Sequence, residues 1–195
     1  MDGDICAPCC GTEREVTVTC PLDCEYLLEA RKHEKPLPLT TALHPDVEIT
    51  EGFLERHELL FAAVTQHLVQ AALKQPGVID SDMRDMLAAT IRTAETADSG
   101  LIYTTHAENA VATAVQEAFQ QGFGEWRAMV EKRGVDAGME GPLVKDADVR
   151  KVLVFLHRLS YQFNNQRPKG RSFLSVVLDW TRGLEIRPKE PEPEA

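Results

Sequence analysis

The chain has 195 residues, enough for one ordinary domain plus a small appendage, and its 43% hydrophobic and 27% charged content is that of a folded globular protein. A net charge of −10 and a pI near 5.1 disfavour broad contact with nucleic-acid phosphate or anionic lipid. No apolar run approaches the roughly 18 residues that a bilayer span needs, and MDGDICAPCC has neither a basic nor an apolar signal region, so the expectation is a cytoplasmic protein.

All five cysteines fall within the first 24 residues, in the pattern Cys6-x2-Cys9-Cys10-x9-Cys20-x3-Cys24. In a reducing compartment such a cluster points to metal ligation before disulfides. Four thiolates in two separated pairs suit a tetrahedral zinc site, with Cys6, Cys9, Cys20 and Cys24 as ligands. Cys9 and Cys10 do not readily serve one small site together. The Cys6-x2-Cys9 step favours Cys9, with Cys10 as its alternative. Cys6-Ala-Pro-Cys9 reads as a knuckle turn, Glu13–Thr19 as a short hairpin, and EYLLEARKH after Cys24 as a helix whose first turn favours a thiolate. An iron–sulfur cluster on the same cysteines, or a thiol redox switch, is the competing chemistry. His33 is a weaker fifth ligand candidate, more than two helical turns from Cys24.

Knuckle, hairpin and a helix that brings the last ligands resemble a treble-clef or zinc-ribbon-like finger over about 28 residues. The helix pair here is C-x3-C where that pattern has C-x2-C, and the knuckle carries an extra adjacent cysteine. The whole chain also resembles bacterial proteins that join such a module to a helical body, a likeness that implies no activity.

Downstream, residues 1–34 give way to a proline-containing linker over 35–50, a helical bundle over 51–187 and a Pro/Glu-rich tail over 188–195 that is expected to be disordered. The bundle is read as about five helices, so the fold class is mainly α. The first begins at Glu51 behind Thr50, carries Phe53, Leu60, Val64, Leu68 and Ala71 on one face, and stops at Gln75-Pro76-Gly77. The second runs from about Ser81 to Asp98 and is broken by Ser99-Gly100. The third opens on a capping box, Thr105 with Glu108, and runs to about Arg133. Asp146 caps the fourth, which ends near Asn165, and Ser172 caps the fifth, which ends at Gly183.

Catalytic motifs are missing from the body. It has no Glu-x-x-His pair, Gly-rich phosphate loop, nucleophile elbow or zinc-protease helix motif. His57 and His67, almost three turns apart, are the one pair placed to face the bundle together, with His106 or His157 as neighbours. Solvated or packed histidines are the simpler account. Arg167, Lys169, Arg171, Arg182 and Arg187 form the only basic concentration and are too spread to make a strong phosphate-binding patch. The expected function is a non-enzymatic interaction or scaffold protein with structural zinc and a protein partner. A DNA-linked regulator and an iron–sulfur or thiol redox sensor stand as alternatives.

Overall fold

A computed structural model describes residues 6–98 and 103–185. Arg187 and the tail over 188–195 lie outside the described residues, as does the break at Ser99-Gly100. The fold is mainly helical, with α1 Ala7–Glu13, α2 Glu25–Arg31, α3 Glu51–Arg56, α4 Glu58–Leu73, α5 Asp80–Asp98, α6 Ala110–Asp136, α7 Asp146–Gln162 and α8 Ser172–Glu185. The count of about five is corrected to these eight among the described residues. Within 51–187 the difference is the division at His57; in the cysteine module α2 is the helix expected after Cys24, and α1 is an addition.

The division at His57 has a local cause. Thr50 Oγ1 accepts from the Phe53 amide at 3.2 Å and starts α3. His57 then leaves helical geometry (φ −115°, ψ 27°), and its Nδ1 lies 2.9 Å from the Phe53 carbonyl. The side chain thus engages a carbonyl at the end of α3, and the chain restarts as α4.

The core forms where α5 packs on α6 and α7, and α4 packs on α6, α7 and α8. Leu60, Val64, Leu68 and Ala71 recur at helical spacing on α4 and are buried against Met83, Leu87 and Ile91 of α5, Val115 and Phe119 of α6, Leu153 and Leu156 of α7, and Phe173, Leu174 and Val177 of α8. Each wholly buried leucine of this set contributes about 2 kcal/mol of apolar transfer free energy.

Three helix starts differ from the expected caps. Helix α6 is capped by Asn109, whose Oδ1 accepts from the Ala112 amide at 2.8 Å, and not by Thr105 with Glu108. Thr105 is held elsewhere: its carbonyl accepts from Gln116 Nε2 at 2.7 Å, and its amide donates to Thr93 Oγ1 at 3.0 Å. Lys145, not Asp146, is the N-cap of α7. At α8, Ser172 Oγ donates to Glu34 at 3.0 Å, while the first-turn amides of Phe173 and Leu174 donate to the Asp80 carboxylate at 3.0 and 3.1 Å. A buried carboxylate at a helix N-terminus meets both free amides and the positive end of the helix dipole.

Residues 35–50 lie along the bundle. The Leu37 amide donates to the Gln162 carbonyl at 2.8 Å, and Val47 is buried in the core. Arg158 of α7 fastens the segment by donating to the carbonyls of Leu43, His44 and Val47. No helix among the described residues is long and apolar enough to cross a membrane.

Candidate functional site: the cysteine module and its seat on the bundle

The first cysteines lie on a helix where a knuckle was expected. Cys6 is the N-cap of α1, Pro8 occupies its first turn, and the Cys9 amide donates to Cys6 Sγ at 3.4 Å. Contact with the Cys9 side chain lowers the Cys6 thiol from its ordinary value, and the same contact raises that of Cys9. Cys10 is half-buried one position further along α1. The expected hairpin over Glu13–Thr19 is a tight turn with one isolated bridge, Arg14 to Val18. Cys20 is buried with its thiol 3.9 Å from the Val18 carbonyl, and Cys24 is the N-cap of α2. Among the described residues, no three His, Cys, Asp or Glu side chains are grouped so as to hold a metal ion. Cys6 and Cys9 are together, and Cys20 and Cys24 do not complete a set with them. His33 is exposed and lies 3.7 Å from Glu29.

What fixes this module is a residue that the cysteine spacing does not point to. Glu15 sits midway between the two cysteine pairs, is fully buried, and adopts a left-handed backbone (φ 54°). Its Oε1 accepts from Arg31 Nη2 of α2 at 3.0 Å and from the Arg171 amide at 2.9 Å, and its Oε2 accepts from Asn165 Nδ2 at 2.7 Å. Its own carbonyl accepts from the Lys169 amide at 2.8 Å. A buried carboxylate is tolerated where charge and hydrogen bonds compensate its lost hydration, and here both do.

The basic run after α7 completes the seat. Arg167 Nη1 donates to the Arg14 carbonyl, Lys169 Nζ to that of Thr17, and Arg171 Nη1 to that of Cys20 at 3.1 Å. These cations therefore grip the backbone of the cysteine module. Arg182 stands apart, 3.6 Å from Asp179. Asp80 lies behind the seat, with its amide donating to the Gly170 carbonyl at 2.9 Å. Burial raises Asp80 to about 7 against the lowering effect of the Phe173 and Leu174 amides and Arg84.

The histidines divide between separate places. His57 is half-buried, stacked on Phe53 and 3.5 Å from Asp148, whereas His67 packs against Phe123 and Trp126. His106 is exposed. His157 pairs with His44, Nδ1 to Nε2 at 3.2 Å, while His44 Nδ1 lies 3.5 Å from Glu95. Glu95 and Asp46 both accept from Arg150. Burial first, and then His44 and two arginines, lower His157 to about 4. His57 and His67 thus serve different neighbourhoods, and the close histidine pair bridges residues 113 positions apart.

Glu15 could not be singled out from the sequence, because its partners Asn165 and Arg171 lie some 150 positions away. The one signal was indirect, a cationic cluster in a strongly acidic chain. No protein-family model, curated protein or solved structure matches this chain.

Proposed function

We propose that this protein is a non-enzymatic, metal-binding interaction protein. In this reading the thiolates of Cys6, Cys9, Cys20 and Cys24 bind a structural zinc ion, and the module they stabilise forms a recognition surface for a protein partner. The observation that carries the reading is the Glu15 seat. A module held by its centre on a helical bundle presents a fixed surface, whereas a finger on a loose linker does not. Donor chemistry supports zinc: soft thiolates in two pairs flank the anchored residue, and the Cys6–Cys9 pair is already in contact. Binding the ion would draw Cys20 and Cys24 toward that pair. The reading places the protein in the reducing cytosol, where the thiolates stay available to metal.

The contact between Cys6 and Cys9 also supports a second reading, a thiol redox sensor. Titrating Co2+ into the reduced full chain separates the two. An intense thiolate charge-transfer spectrum at one equivalent, lost in Cys6→Ser, Cys9→Ser, Cys20→Ser and Cys24→Ser but kept in Cys10→Ser, is expected for the metal site. No thiolate spectrum, together with a Cys6–Cys9 disulfide formed under mild oxidation, would replace it with the redox reading.

A further inference from the structure

A cleft of about 500 Å³ lies at the seam between the cysteine module and the bundle, and its chemistry is independent of the thiols. One wall comes from Arg31 at the end of α2 and from residues 34–37. The other comes from the C-terminal end of α7, the turn over 164–167 and the first turns of α8. Arg31, Lys35 and Arg167 line it against a single acidic residue, Glu34, whose Oε2 already accepts from Ser172 Oγ at 3.0 Å. In a chain of net charge −10 this is a local reversal of sign.

The charge behind the cleft tilts the same way. While the Arg171 guanidinium donates through Nη1 to the Cys20 carbonyl, the Arg31 guanidinium and the Arg171 backbone amide share one carboxylate, Glu15. Arg31 donates to it only through Nη2; its Nε and Nη1, and Arg171 Nε, are buried without a hydrogen-bond partner. Unpartnered guanidinium N–H groups away from water are costly, and an oxyanion nearby relieves that cost through charge. Among the described residues, Lys35 has no ion-pair partner. The turn also stores strain. Gln166 is left-handed (φ 59°), a geometry uncommon outside glycine, and its amide is held by Asn164 Oδ1 at 2.9 Å. That bond leaves the Asn164 side-chain NH2 available to the cleft. Phe163, Leu37 and Val176 supply an apolar wall.

We infer that this cleft is a binding site for a small oxyanion-bearing ligand, a carboxylate or a phosphate. Lys35, Arg167 and the Asn164 amide contact the anionic group, Arg31 provides charge from behind, and the apolar wall accepts the ligand's non-polar part. Cations in a partly enclosed cleft attract anions more strongly than the same cations on an open surface. The preference between the two anion sources follows from the apolar wall: an aromatic carboxylate fills it and inorganic phosphate does not.

The full-length protein would be titrated with benzoate and, separately, inorganic phosphate, followed by calorimetry and by the side-chain amide NMR signals of Asn164 and Gln162. Saturable one-to-one binding of either ligand, with shifts at those amides, is expected, and benzoate alone would assign the carboxylate form. Lys35 is exposed and, among the described residues, has no ion-pair partner, so Lys35→Glu should fold normally and weaken binding by about tenfold or more. Asn164→Asp keeps the acceptor for Gln166 and should weaken it as well. Failure of both ligands to bind, or binding that Lys35→Glu and Asn164→Asp leave unchanged, would overturn the assignment.

Discussion

Glu15 and Asn165 meet through a 2.7 Å hydrogen bond across 150 residues of chain, and that bond joins the cysteine module to the turn after α7. Because Arg31 and the Arg171 amide converge on the same carboxylate, one side chain holds three segments of the protein. Removing it leaves the Arg31 guanidinium without its counter-charge and the Arg171 amide without its acceptor. Glu15→Ala should cost about 3–5 kcal/mol in chemical denaturation, and the amides of α2 should lose hydrogen-exchange protection before those of α4. Unchanged protection in α2 would show that the module is held by other contacts.

Gly170 tests the geometry of the same seat. A Cβ there would collide with Asn165 Oδ1 and approach the Arg167 carbonyl to 3.1 Å, and Gly170 also supplies the carbonyl that Asp80 uses. Asn165 Oδ1 is not free to move, since it accepts from the Arg167 amide at 3.1 Å. Gly170→Ala should therefore destabilise by about 1–3 kcal/mol, while Gly124→Ala, which meets no atom within 4 Å, should be neutral or mildly stabilising. Equal thermal midpoints for the two variants would contradict this.

Two buried groups give opposite pH dependences that cancel. Asp80 rises from 3.8 to about 7 on folding, so between those values the folded state holds a proton that the unfolded state has released, and stability falls as pH rises. The full span corresponds to roughly 4 kcal/mol. His157 falls from 6.5 to about 4, so between those values the unfolded state holds the extra proton, and stability is lost as pH drops. From about pH 4 to 6.5 the two contributions offset each other. Asp80→Asn should expose a stability that rises with pH, at up to about 1.4 kcal/mol per pH unit, and His157→Gln should expose the opposite slope. Urea denaturation at several pH values checks both signs, and slopes of the same sign in the two variants would refute the pairing.

Metal removal should act locally. The module has almost no core of its own beyond Cys20 and Leu27, so chelation or Cys24→Ser should disorder α1, while the turn that Glu15 anchors stays on the bundle. The bundle should stay helical, because its core contains no residue of the first 46 among its buried members. Circular dichroism with hydrogen exchange separates this outcome from a collapse of the whole fold.

The bundle was legible because its information is local. Leu60, Val64 and Leu68 repeat at helical spacing, Thr50 caps at the expected position, and Gly77 (φ 77°) ends the run. The interruption at His57 was not legible, since an imidazole that engages its own i−4 carbonyl leaves no mark in periodicity. Asp80 capping α8 and Glu15 receiving Asn165 are long-range pairings between single polar residues, which no window of sequence contains. The role of the basic run was not legible for the same reason: its acceptors are the carbonyls of Arg14, Thr17 and Cys20, and backbone groups carry no residue signature. The cysteine spacing carries no sign of α1, the helix that runs from Ala7 through Cys9 and Cys10 where a knuckle was expected.

Elemental analysis with a visible spectrum, on full-length protein purified anaerobically, tests the metal-binding reading most directly. One zinc per chain and no colour is the predicted result, and it would make the seated module a structural zinc site. Iron with sulfide and a brown absorbance, or a chain free of metal after purification without chelators, would contradict it.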